Sequence, residues 1–197
     1  MLRMRLFPGL MGTVLAGLVV ASPAEGSIVQ GLELEELVAR ADQIVLGRVL
    51  FSESFQRSDG TLGTWHRIEV ERDVGGGAVG DSEVIVETMG GQIGEIGMRV
   101  EGEPSFAIGE RVVVFIRGGG PYTAFRPVGM AQGVMRVRVE QGIEMVTQSR
   151  EGLMLVRRNA QGRLEKSLGA LPQSERLDAF LSRVRALAEQ GAGDAGE

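Results

Sequence analysis

Apolar and polar residues alternate with a period of two along much of this chain, and each alternating run predicts a half-buried β-strand. In residues 63–72 the phase places His66, Ile68 and Val70 on one face, with Trp65, Arg67, Glu69 and Glu71 on the other. The first face is expected to be buried. Residues 134–140 set Met135, Val137 and Val139 against Arg136, Arg138 and Glu140, and Gln141-Gly142 turns the chain into a hairpin partner at 143–147. Two runs depart from alternation. Residues 43–51 open with Ile44, Val45 and Leu46, so this strand should be central or covered, and residues 111–117 form a strongly β-branched run. Further strands are predicted at 83–89, at 122–128 with an end or bulge at Pro127, and at 153–158 paired with 163–166. Ser58-Asp59-Gly60, the glycines of 75–81 and Gly118-Gly119-Gly120-Pro121 supply the turns, the last expected to stop the 111–117 strand.

A helical period takes over twice. Leu34, Leu37, Val38 and Ala41 lie on one stripe of residues 31–42, with Glu33, Glu35 and Glu36 near the positive end of the helix. From Pro172 onward, Leu177, Phe180, Leu181, Val184 and Leu187 form a longer stripe. Burying five such side chains contributes roughly 10 kcal/mol gross, at about 1.5–3 each, so this helix should dock on the sheet.

Residues 88–117 are the stretch the rest is organised around: a glycine-rich connection between two apolar strands. Ile96, Met98 and Val100 alternate with Gly97, Arg99 and Glu101, and Phe106 and Ile108 follow Pro104. Gly90, Gly91, Gly94, Gly97, Gly102 and Gly109 would supply positive φ or close backbone approach. The stretch is either a packed connection or a binding platform anchored by Ile96, Met98 and Phe106. On the platform reading Gly94, Gly97, Met98 and Arg99 are candidate binding residues, and Gly97→Val should cost about 1–3 kcal/mol through backbone strain. Trp65 joins them as an outward-facing aromatic, either covered by one of the helices, the expected case, or offered to a partner.

Composition narrows the setting. Arg3 and Arg5 precede an uncharged apolar run at 6–20, then Ala21, Ser22 and Ala24, which is the layout of an export signal cleaved after Ala24, with Ala21 as the other permitted site. A retained membrane anchor would need about 20 apolar residues. This run is shorter and is broken by Pro8, Gly9, Gly12 and Gly17. The expected organisation is a signal at 1–24, one domain with its carboxy-terminal helix at 31–189 and a disordered tail at 190–197. Export to the periplasm or the extracellular space follows. The chain has no cysteine, so its core rather than disulfides must hold it, and it cannot be lipidated as a lipoprotein. A net charge of −5 and the absence of a basic block argue against nucleic acid or an anionic membrane as partner.

Catalytic chemistry is sparse. His66 is the sole histidine, which makes a zinc site very poor in ligands, and no cofactor or metal is expected. A Ser-His-Asp triad needs His66, but no Gly-x-Ser-x-Gly elbow accompanies it, and the strand phase turns His66 inward as a core or rim residue. The glycine-rich segments lack the Gly-Lys-Ser/Thr of a phosphate loop, and no Asp-x-Asp-x-Asp run suits calcium. Met130 and Met135 are expected to fill core gaps.

The order of motifs adds a resemblance. A helix ends in Ala41-Asp42, the strand Ile44-Val45-Leu46-Gly47-Arg48-Val49 follows, and another strand feeds Gly80-Asp81 before a strand from Glu83. Gly109-Glu110-Arg111-Val112-Val113-Val114-Phe115-Ile116 comes later. Over residues 34–139 this resembles the netrin and metalloprotease-inhibitor-like (TIMP-like) domain. The resemblance implies a mainly β, OB-like five-stranded barrel, here with a short amino-terminal helix and a carboxy-terminal amphipathic helix. The central stretch resembles a group of uncharacterised exported bacterial proteins more closely. Inhibitors of the TIMP-like family rely on an amino-terminal cysteine, which this chain lacks, so no inhibitory residue carries over. The expected function is an exported, non-enzymatic binding module whose partner is another exported protein, a protease among the candidates. The alternatives are an enzyme with a site around His66 or a structural envelope component.

Overall fold

The computed structural model describes residues 26–76, 82–120, 123–171 and 173–194. The expected signal at 1–24, residues 77–81 of the expected glycine turn, Pro121 and Tyr122, Pro172 and the last three residues of the expected tail lie outside the described residues.

The molecule is mainly β. In chain order the elements are β1 (Ser27–Gln30), α1 (Leu34–Arg40), β2 (Gln43–Gln56), β3 (Leu62–Gly75), β4 (Glu83–Met89), β5 (Gly91–Ile93), β6 (Ile96–Met98) and β7 (Arg111–Gly120). Then come β8 (Thr123–Pro127), a 3-10 turn (Met130–Gly133), β9 (Val134–Glu140), β10 (Ile143–Gln148), β11 (Leu153–Arg158), β12 (Leu164–Lys166), β13 (Glu175–Arg176) and α2 (Leu177–Asp194). Among the described residues, no helix is long and apolar enough to cross a membrane.

The two strands that are apolar on both faces sit side by side. One edge of β7 pairs antiparallel with β2 from Gln43↔Ile116 to Arg48↔Arg111. Its other edge is shared, with Arg111 to Val114 meeting β9 and Ile116 onward meeting β8. From β2 the pairing continues through β3 and β4, and Val86 of β4 meets Phe125 of β8, so the ladder returns to β7. Register shifts between β2 and β3 at Ile44/Val45, Leu46/Gly47 and Val49/Phe51 bend these long strands. Gly47 sits at the tightest approach, where a Cβ would lie 2.3 Å from the Glu69 carbonyl oxygen.

Each face of this sheet has its own core. Val45, Val49, Ile68, Val86, Val112, Val114 and Ile116 pack inside the curve. Ile44, Leu46, Val113 and Phe115 face the other way and meet Leu34 and Leu37 of α1 and Leu177, Phe180, Leu181 and Val184 of α2. Phe115 and Phe180 meet edge to face at 6.4 Å. Alternation along β2 and β7 therefore separates two apolar faces, and both are covered. Met135 fills the helix-side core, while Met130 is half-buried at φ 62°.

Several boundaries differ from expectation, each for a local reason. The first helix is shorter, because Ala41 is already extended at ψ 134°. The strand expected to stop at Gly118 runs on to Gly120, since Gly118 and Gly120 pair with Phe125 and Thr123. The second helix starts at Leu177 because Glu175 and Arg176 first pair with β10. That helix reaches Asp194, so residues 190–194 of the expected disordered tail are helical. β1 went unforeseen. Its partner is the parallel strand β11, and the carbonyl of Gln30 is held by the buried Gln132 amide at 3.1 Å.

Candidate functional site

The inward positions of β3 run Val70, Ile68, His66, Thr64, from apolar to polar, and that gradient marks where the interior opens. At the polar end a cleft of about 810 Å³ lies between the strand ends and residues 90–106. Ser52, Thr64, His66 and Thr88 form its polar lining, and Gly97, Met98, Arg99, Val100 and Phe106 line it from the glycine-rich stretch. Glu101, Glu103 and Glu151 add carboxylates to the lining.

His66 is 4% exposed and both ring nitrogens meet hydroxyls. Ser52 Oγ lies 2.8 Å from Nδ1 and Thr88 Oγ1 lies 3.0 Å from Nε2, so the neutral ring donates to one hydroxyl and accepts from the other. The Phe106 ring packs against it at 4.7 Å. Burial disfavours the imidazolium and pushes the His66 pKa down to about 4, which leaves the ring neutral at pH 7. Glu103 is pushed the other way: burial raises its pKa, although its carboxylate accepts the Met89 amide at 3.1 Å.

Polar staples hold the cleft walls. Arg136 donates to Glu110, to the Ser105 carbonyl at 2.9 Å and to Glu151 at 3.3 Å. The Gly102 carbonyl accepts the Ala131 amide at 2.9 Å, and the Gly109 amide donates to the Val49 carbonyl at 2.7 Å. Thr64 Oγ1 donates to the Gly90 carbonyl at 2.8 Å. Gly91 follows at φ 144°, where a Cβ would lie 2.4 Å from Ser54 Oγ. Residues 88–110 thus form a walled surface.

The expected anchors fare unequally. Phe106 packs against the interior core and Met98 is half-buried, but Ile96 is 65% exposed and anchors nothing. Ile96 sits at the tip of the β5–β6 hairpin, where both its neighbours and the turn point into solvent. Of the candidate binding residues, Gly97, Met98 and Arg99 line the cleft, and Arg99 pairs with Glu101 at 2.6 Å. Gly94 does not line it: at φ 59° it forms the turn of the hairpin. Gly97 is not strained. Its φ lies outside the left-handed region, and a Cβ there would meet only the Gly91 carbonyl oxygen, at 3.9 Å.

Trp65 lies on the opposite face of β3 and is not covered by a helix. It is 42% exposed and stacks on Phe55 at 4.1 Å, and the Arg57 guanidinium lies over the Phe55 ring at 5.3 Å. Glu87 closes this ladder by accepting from Arg57, from Trp65 Nε1 at 3.3 Å and from Arg126 at 2.8 Å. Burial opposes ionisation of Glu87, but these donors and cations outweigh it and lower its pKa.

Sequence reasoning missed Ser52, Thr88, Glu103, Glu151 and Arg136. The first two were within reach, because extending the period-two phase of β3 to its neighbours places hydroxyls beside His66. Nothing local marks the other three, whose partners lie far away in the chain. Among the described residues, no group of three or more His, Asp or Glu side chains converges to hold a metal ion. No family model matches the chain, and no curated protein matches it.

Proposed function

We propose that this chain is an exported, non-enzymatic binding module whose cleft takes a segment of another exported protein. The observation that carries this reading is the cleft itself. Its volume of about 810 Å³ falls in the range of ligand sites, roughly 300–1,000 Å³. Its walls are stapled open by Arg136 and Glu103. The closed circuit of β2, β3, β4, β8 and β7 supports an OB-type barrel, in keeping with the resemblance to netrin and TIMP-like domains. Export rests on Arg3, Arg5 and the apolar run at 6–20, and cleavage after Ala24 leaves β1 intact. Amino-terminal sequencing of the exported product, expected to begin at Glu25, checks that step.

The binding test uses Gly97→Trp, which places a bulky side chain on a residue of the cleft lining that has room for it. Retention of partners from the exported fraction should be lost with Gly97→Trp and kept with Trp65→Ala. The reverse pattern would move the site to the Trp65 face.

One observation favours an enzyme: Ser52 Oγ lies 2.8 Å from His66 Nδ1, the contact a nucleophile and its base require. Against it, Thr88 rather than a carboxylate meets the second nitrogen, and a base with a pKa of about 4 is a weak proton acceptor near neutrality. His66→Ala separates the two readings, since it would abolish hydrolysis but leave binding through residues 97–106 in place.

A further inference from the structure

The β5–β6 hairpin is a sheet of two strands, so β6 has a strand partner on one edge only. Its pairs are Gly91↔Met98, Gln92↔Gly97 and Ile93↔Ile96, closed by a two-residue turn with Gly94 first at φ 59°. Such a turn makes Ile93 and Ile96 the hydrogen-bonded pair. Gln92 and Gly97 are then the pair whose main-chain groups point away from each other. The Gln92 amide obeys this rule and donates to Ser54 Oγ on the β2 side at 3.1 Å. The Gly97 N–H and C=O consequently point outward from the open edge, and no partner for either occurs among the described residues. Gly97 lines the cleft, and a glycine can line it only with main-chain atoms.

The charge around that edge is one-sided. Glu101, Glu103 and Glu151 line the cleft against a single guanidinium, Arg99. Arg99 neutralises Glu101 at 2.6 Å, and Glu151 shares Arg136 with Glu110. Glu103 accepts the Met89 amide and is in no ion pair among the described residues, while Arg126 and Arg57 act on it from beyond ion-pair distance.

Resting on the binding role assigned above to this cleft, we infer that its occupant is an extended peptide carrying Lys or Arg. The peptide adds as a strand to β6, exchanges two main-chain hydrogen bonds with Gly97 and places its cation near Glu103. Strand addition takes its affinity from main-chain bonds and its preference from side-chain pockets, which here combine an acidic wall with Phe106 and Met98.

The test is selection of a random heptapeptide phage library on the mature chain, with Gly97→Trp selected in parallel. Selected peptides should be rich in Lys and Arg, poor in Asp and Glu, and lost on Gly97→Trp. Synthetic copies should weaken by about tenfold or more when the amide facing Gly97 is N-methylated, and little when the next amide is. Glu103→Gln keeps an acceptor for the Met89 amide but removes the charge, so it should weaken binding severalfold and lower its salt dependence. This second variant decides the matter even if Gly97→Trp fails to fold. Binders indifferent to N-methylation, or rich in acidic residues, overturn strand addition by a basic peptide. If no heptapeptide is enriched while partner retention still depends on Gly97, the inference fails and the cleft's binding role stands. If neither depends on Gly97, both fall.

Discussion

Beneath α1 and α2 the sheet is held by side chains packed on side chains, with Phe115, Phe180, Leu181 and Val184 almost wholly buried. Across the molecule, residues 90–110 reach the same strands mainly through Arg136, Glu103, Thr64 and a handful of main-chain bonds. The first arrangement is non-directional and tolerates no water. The second is directional, holds a wall at a set distance from the floor and leaves space between them. One fold thus uses apolar burial on its helix side and polar staples where a cleft is left between its walls.

The sharpest way to break this comparison is Phe180→Ala. Removing a fully buried aromatic that packs on Phe115 should destabilise the protein by about 3–5 kcal/mol, measured by urea unfolding. If the helix-side core is independent of the cleft, hydrogen exchange in residues 101–110 should keep its protection relative to the global value.

His66 probes the opposite end through pH. Its folded pKa of about 4 lies below the usual value of 6.5, so between these values the unfolded chain binds more protons than the folded one. Stability from keeping His66 neutral is therefore fully present above pH 6.5 and is lost as pH falls toward 4. The total is on the order of 3 kcal/mol at most. Unfolding of wild type and His66→Gln at pH 7.5 and pH 4.5 isolates it, because Glu103 and the other carboxylates are common to both. The wild type should lose more stability than the variant over that interval. Equal losses would mean that the ring is solvated.

A smaller effect is expected at Arg136. Its guanidinium side chain is 19% exposed and serves Glu110, Glu151 and the Ser105 carbonyl. Arg136→Met keeps the apolar stem but removes these bonds, and should cost about 1.5–3 kcal/mol. The signature that distinguishes it from Phe180→Ala is local: exchange should accelerate first at residues 105–110.

What the sequence made legible follows the same division. Apolar burial leaves a periodic trace, so the covered faces of β2, the stripe of α2 and the inward turn of His66 could all be read from spacing. A staple leaves no trace of that kind. Gln132 supports the Leu32 amide at 2.9 Å across 100 residues, and Arg136 reaches Ser105 across 31, with nothing in either neighbourhood to announce the partner. Trp65 was misplaced for a related reason. Its phase was right, but its cover is a stack with Phe55 and Arg57 that alternation does not encode. Residues 88–110 could be identified as a special stretch, yet which of their side chains face a cavity depended on walls supplied from elsewhere.

The smallest predicted effect bears most directly on the cleft. On sequence grounds Gly97→Val should strain the backbone, but Gly97 lies outside the left-handed region and its Cβ position is open apart from a 3.9 Å contact to the Gly91 carbonyl. The added side chain would stand in an exposed strand, where valine is a favoured residue, so the change in stability should be within about 0.5 kcal/mol. Gly91→Val supplies the contrast. At φ 144° its Cβ would enter the space held by Ser54 Oγ and Thr64 Oγ1, and the loss should be several times larger. Urea midpoints of the two variants, measured side by side, test this directly. A large loss at Gly97 would mean that the hairpin sits closer to its neighbours than 3.9 Å allows, and the open edge of β6 would then have no room for a partner strand.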